Sequence, residues 1–381
     1  MRAGGHGAIR QAAETVTVGF YAPLPPARTG VADYAAALVG ALKRHGEVRV
    51  GPRRCDVALY HVGNNRLHAG IYRRALKEPG VVVLHDAVLN HFLLGQLSRE
   101  QYIEEFVYNY GGWNRGLAED LWESRTGSAG DERYFQFPML RRIAERARAV
   151  IVHNPAAARM VRAHAPEARV IEIPHLFRAP QLPGEAEALR YRAGLGLGEA
   201  AFVFGVFGFL RESKRVAQIV EVFGRLRRER ADVGLLLAGA FVSSDLERLA
   251  RGLFQSEGLV YRPYLGEREF WLAASAIDGC INLRYPAAGE TSGIAVRMMG
   301  IAKPVLLTDA EESARFPEDG CMRVSAGVGE RDSLWSHMVL LTSIAGVGRA
   351  IGESGAAHVR ARHGLEQVAE LYWSVLCESR S

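Results

Sequence analysis

Short runs of β-branched and other apolar residues recur along the chain, at 16–20, 57–61, 81–85, 150–153 and 170–173, and longer amphipathic stretches separate them. Runs this short and this apolar read as buried strands, and their alternation with helical patterns predicts a parallel sheet covered on both faces. The pattern then restarts at 202–207 and continues through 233–238, 260–264, 279–283 and 304–308. Two successive sets of such units predict an α/β chain of two Rossmann-like, doubly wound domains.

We expect the first domain over 1–178 and the second over 179–355, with the Pro-, Gly-, Ala- and Glu-rich stretch 178–200 as the linker between them. Pro174 and His175 close the first half. The last segment, 356–381, carries Leu365, Val368, Leu371, Tyr372 and Val375 at helical spacing, which predicts a helix packing back across the junction. The interval 90–148 is long, helical in character and rich in aromatic and charged residues, and reads as an excursion from the first sheet. Such an excursion lines an acceptor site, touches a membrane or simply packs as a subdomain.

Composition narrows the class. A chain of 381 residues that is 48% hydrophobic has enough apolar mass for two cores. Its apolar runs are too short to cross a bilayer and residues 1–13 lack the apolar core of a signal peptide, so a cytoplasmic place is expected, with a peripheral seat at the inner face of the membrane left open. Cys55, Cys280, Cys321 and Cys377 are scattered without CxxC spacing, which indicates neither a disulfide framework nor a zinc site. The net charge of +5 reflects an arginine excess, including Arg141, Arg142, Arg146 and Arg148. Such a balance suits an anionic small substrate, a membrane surface or nucleic acid, and the last finds no RNA-binding motif or recognition helix here.

Loops at the carboxyl ends of two facing sheets create a cleft between domains. The segment from Pro23 to Tyr34 places Gly30 at a helix start, where backbone amides meet a phosphate or form a plain turn. Asn64 and Asn65 follow a buried strand and suit sugar hydroxyls or a turn. His85-Asp86 and His153-Asn154 stand at two further strand ends, with Asp86 and Asn154 readable as helix caps. Gly208 opens a turn followed by Arg211, Lys214 and Arg215, cations that neutralise a diphosphate. Glu290, Thr291, Ser292, Gly293 and Ile294 supply a hydroxyl-reading carboxylate and the exposed amides of a helix start, and Arg297 follows. The chain carries no GxGxxG after its first strand, no P-loop, no HExxH and no Asp-x-Asp, so a mechanism without metal or cofactor is the simpler expectation.

With these residues in place the chain resembles the retaining GT-B glycosyltransferases of group 1, or family 4. The likeness covers the Gly30 loop, the strand ending in His85, the turn from Gly208 to Lys214, the block from Gly289 to Pro304 and the terminal helix. It implies that a sugar moves from a nucleoside diphosphate donor, UDP- or GDP-linked, to an acceptor hydroxyl with retained anomeric configuration, in glycan or polysaccharide synthesis. The acceptor stays open among a lipid-linked or growing glycan, an exopolysaccharide and a small metabolite. Glu290 takes the donor-sugar role, Lys214 the diphosphate role, and His85 stands near donor sugar and acceptor. Asn64, Asn65, Asp86 and His153 are the acceptor-side candidates. The chain departs from the family pattern where a second glutamate is expected to meet the ribose: Met298 stands eight positions after Glu290, and Arg297 occupies the place if one residue is deleted. Phe209 stands where an arginine usually accompanies the lysine, with Arg211 as its substitute. A nucleotide-sugar epimerase and a non-catalytic nucleotide-sugar-binding module are the competing readings.

Overall fold

The computed structural model describes residues 16–27, 29–253 and 257–380; the segment 1–13 and Arg28 of the Gly30 loop lie outside the described residues. The first sheet holds β1 (Thr17–Tyr21), β2 (Glu47–Val50), β3 (Val57–Val62), β4 (Val81–Leu84), β5 (Ala149–Val152) and β6 (Val170–Glu172) in the order β2-β1-β3-β4-β5-β6. The second holds β7 (Phe202–Phe207), β8 (Val233–Ala238), β9 (Leu259–Arg262), β10 (Gly279–Asn282), β11 (Val305–Thr308) and β12 (Met322–Val324) in the order β12-β11-β10-β7-β8-β9. All ladders are parallel.

The continuous apolar strands follow from two-sided burial. Val81, Val83, Ala149 and Ile151 point into one core, and Val82, Leu84, Val150 and Val152 into the other. Fully burying each valine, leucine or isoleucine here contributes about 1.5–3 kcal/mol, so a polar residue at any of those positions would destabilise the fold. Strand order reverses between β1 and β3 in the first sheet and between β7 and β10 in the second, and ligands of open α/β sheets bind at such switch points.

The excursion consists of helices Asn90–Leu94, Arg99–Tyr110, Arg115–Glu123, Arg133–Gln136 and Arg141–Arg146. Buried Tyr102, Phe106, Leu121 and Tyr134 pack it onto the first domain, and Glu132 accepts a hydrogen bond from Tyr285 of the second. The terminal segment is two helices rather than one. Helix Val347–Arg362 stays with the second domain, the chain breaks at His363 and Gly364, and helix Leu365–Glu378 crosses to the first domain, where Tyr372 and Tyr34 share a buried hydrogen bond of 2.8 Å. Phe177 N donates to His363 O and His363 Nδ1 to His175 O, both at 2.6 Å, so the two crossing strands of the hinge are tied together.

The expected linker 178–200 is not structureless. It contains helix Glu185–Gly194, anchored by Ala188 and by Arg192, which reaches Asp278 at 2.8 Å. All four cysteines are free. The arginine excess is spent largely on surface pairs such as Arg141 with Glu145 and Arg159 with Glu311. Among the described residues no single helix is long and apolar enough to cross a membrane.

Candidate functional site

The loops leaving β7 and β10 meet at the switch point of the second sheet. Gly208 leaves β7 with φ of +82°, and a Cβ there would lie 3.0 Å from Lys214 Nζ and 3.6 Å from Ile294 Cγ1, so only glycine lets the turn, the lysine and the next helix start come together. Lys214 sits in a short turn, 5% exposed, and its Nζ donates to Phe207 O at 2.5 Å. Burial, and then the charges of Arg284 and Arg211, hold its pKa well below the usual lysine value. Arg211 is exposed at the same mouth.

Tyr285 N donates to Ser213 O at 2.8 Å, which locks the β10 loop onto the β7 loop. The loop then turns back on itself. Glu290 accepts from Ala288 N at 2.9 Å through one carboxylate oxygen, and its other oxygen lies 3.0 Å from Arg284 Nε. Arg284 also reaches Ser292 Oγ at 3.5 Å, and Ser292 caps helix Gly293–Gly300 by accepting from Ala295 N. The Gly293 and Ile294 amides, the first of that helix, have no intrahelical acceptor, the arrangement that suits an anion at a helix start. Arg284 was not singled out from sequence. Its signal was available, an arginine directly after a buried strand, the same placement that drew attention to His85.

The first domain closes the site from above. Ala87 N and Val88 N both donate to Ala288 O, and a Cβ on Gly289, whose φ is +68°, would strike Ala87 Cβ at 2.6 Å. Asp86 accepts from Asn64 N at 2.8 Å and its charge acts on Arg284 across the cleft. His85 meets His61 at 2.9 Å, edge-on to Tyr34, and burial holds its pKa well below 6.5. At the first switch point, Gly30 begins helix Gly30–Leu42, capped by Thr29, and Asp33 of its first turn reaches Arg297 at 3.5 Å.

Three candidates have different employment from that expected. Asn65 is a cap, accepting from Leu67 N, rather than a free amide facing the cleft. Thr291 is a tether between domains, its hydroxyl donating to His153 O and accepting from Asn154 Nδ2. His153 donates through Nδ1 to Ile173 O and lines the hinge beside this tether, while its ring packs against His85 with centroids 5.3 Å apart. Asn154 caps helix Pro155–His164, as the proline after it suggests.

No protein-family model matches the chain, and no curated protein matches it either. Solved structures do. Sucrose-phosphate synthase from Thermosynechococcus elongatus superposes with a TM-score of 0.65 at 15% identity, over 95% of this chain and 100% of that one. HepE from Anabaena, in complex with UDP and glucose, gives 0.65 at 13% identity over the same shares. WaaG, a glycosyltransferase of lipopolysaccharide biosynthesis, gives 0.60 at 14% over 94% and 99%. The chain has the GT-B fold. In this GT-B cleft Lys214, Arg211, Arg284 and the Gly293 helix start gather on the second domain, opposite Gly30, His85 and Asp86 on the first.

Proposed function

We propose that this protein is a retaining glycosyltransferase that moves a hexosyl group from a nucleoside diphosphate sugar to an acceptor hydroxyl in glycan synthesis, without a metal. The observation that carries the reading is the convergence of Lys214, Arg284 and Arg211 with the free amides of helix Gly293–Gly300 at a topological switch point. A departing diphosphate needs positive charge fixed in place, in a site where little water competes, and buried preorganised donors supply it without reorganisation. Lys214 donates to the phosphate oxygens, Arg284 orients Ser292 and Glu290, and the helix amides donate to the second phosphate. Glu290 reads a sugar hydroxyl with the lone pairs that Ala288 and Arg284 leave unused. His85, neutral through burial, sits at the acceptor face with Asp86 and Asn64. The leaving phosphate itself takes the acceptor proton in a front-side displacement. HepE is seen with UDP and with UDP-glucose, which supports a uridine donor as the first to try. We place the protein in the cytoplasm or peripherally at the membrane's inner face, where such donors are made available.

The test is incubation with UDP- and GDP-hexoses and a panel of glycan and lipid-linked acceptors, with proton NMR of the product anomeric centre. A retained configuration supports the reading, and an inverted one overturns it. A second reading, binding of nucleotide sugar without turnover, has one observation in its favour: both oxygens of Glu290 are already engaged. Donor binding with no product from any acceptor would select it.

A further inference from the structure

A cavity of about 320 Å³ lies at the hinge, on the His153 side of the 289–292 loop. None of Lys214, Arg211 and Arg284 lines it. Its size is at the small end of ligand pockets. The floor is made by His153, His363, Phe316 and Glu312, and the mouth by exposed Arg362 and Gln367.

The floor presents acceptors with nothing to accept. His153 is 5% exposed, and because a carbonyl only accepts, its contact with Ile173 O puts the ring proton on Nδ1. Nε2 is then a bare lone pair, and it has no hydrogen-bond partner. His363 is fixed in the same way by His175 O, which leaves its Nε2 as an acceptor too. Burial holds both imidazoles near pKa 4, so both are neutral at pH 7. A buried polar atom without a partner costs about 1–3 kcal/mol, and native folds seldom keep one without a use. Glu312 adds the carboxylate lone pairs left over from the hydrogen bonds it takes from its own backbone N and from Gly289 N, and Phe316 adds an apolar face stacked on His363. Such a floor calls for hydroxyl donors on a compact carbon skeleton.

The mouth calls for something else. Arg315 is held by Glu172 in a two-point ion pair of 2.7 and 3.0 Å, whereas Arg362 has no acidic partner among the described residues. An exposed guanidinium above a polar floor suits a phosphate or carboxylate.

We propose that this cavity is a second small-molecule site, which takes a polyol or sugar phosphate with its hydroxyls on His153, His363 and Glu312 and its phosphate at Arg362. The occupant touches Thr291 and Glu312, and both hold the loop that carries Glu290, one through His153 O and the other through Gly289 N. Its binding does not depend on the transferase reading.

Calorimetric titration of the full chain with glucose 6-phosphate, sorbitol 6-phosphate and glycerol 3-phosphate tests it, with sorbitol and inorganic phosphate alongside. At least one ester should saturate with a Kd below about 1 mM, and sorbitol and inorganic phosphate should bind about ten-fold more weakly. Arg362→Ala and Gln367→Ala change exposed side chains, so folding is not at stake, and each should weaken the ester about five-fold or more. Lys214→Ala should leave ester binding unchanged, and UDP should not displace it. Failure of all three esters to bind, indifference to Arg362→Ala, or displacement by UDP overturns the proposal.

Discussion

Lys214 Nζ donates to the carbonyl of Phe207, 2.5 Å away, at the end of the strand whose switch point forms the cleft. The lysine is thus aimed by the backbone before any ligand arrives. Burial and two neighbouring arginines disfavour its charge, and an arriving diphosphate favours it. Diphosphate binding should therefore be accompanied by proton uptake. Calorimetry of UDP binding in buffers of different ionisation enthalpy reads this directly: the uptake should rise with pH in the wild type and vanish in Lys214→Met.

Arg284 joins Glu290 and Ser292 and should matter more than its absence from the sequence reading suggests. Removing a fixed donor beside developing charge typically lowers turnover by about 10²–10³. Arg284→Ala should do so in a transfer assay, and Arg284→Lys should recover little, because a point charge does not span two acceptors. Recovery to near wild-type rate by the lysine would show that charge alone suffices.

Asp33 holds Arg297 at 3.5 Å across the domains, and the guanidinium also lies over the rings of Phe270 and Trp271, 5.5 and 6.0 Å from their centres. An exposed pair of this kind contributes about 0–1 kcal/mol, so Asp33→Asn should leave Tm nearly unchanged. The same substitution removes a negative charge from the mouth and frees a positive one. UDP should bind up to about five-fold more tightly at low salt, a gain that disappears at high ionic strength.

Acid should unfold the protein through its buried histidines. His61 is held down to about 3, and His153 and His363 to about 4, in each case chiefly by burial. These groups are neutral in the fold, while an unfolded histidine protonates near 6.5. Their contribution is present above that value and is lost as pH falls from 6.5 towards 4, at up to about 1.4 kcal/mol per pH unit for each group. Thermal unfolding followed between pH 8 and 4.5 should be flat above pH 7 and fall steeply below 6.5. Replacing His61, which packs between Phe20 and His85, with Phe should shallow that fall.

Strands buried on both faces were legible because every position in them is apolar, as in Val81–Leu84 and Val233–Ala238. The edge strands Glu47–Val50 and Met322–Val324 were not, since an edge strand is short and partly polar. Helix Glu185–Gly194 hid in a Gly- and Ala-rich stretch because its hold on the domain comes from Arg192 and Asp278, a contact across 86 positions. Gly208, Lys214 and the Gly293 helix start were readable, because turn chemistry and a helix start are local. The duties of Thr291 and Asn65 and the pairing of Glu290 with Arg284 were not readable, because they depend on which loops the fold brings together. His153 looked like a strand-end ligand, and only the crossing of the terminal helix turned its surroundings into a hinge.

We infer that the β7 loop, the β10 loop and the Gly293 helix form a diphosphate site. Titration of UDP into the wild type, Lys214→Ala and Arg284→Ala tests it most directly. The charge-assisted hydrogen bond lost in either variant is worth about 1.5–3 kcal/mol, so we expect saturable binding to the wild type and a loss of about ten- to a hundred-fold in each variant. Wild-type affinity retained by both variants would contradict the account.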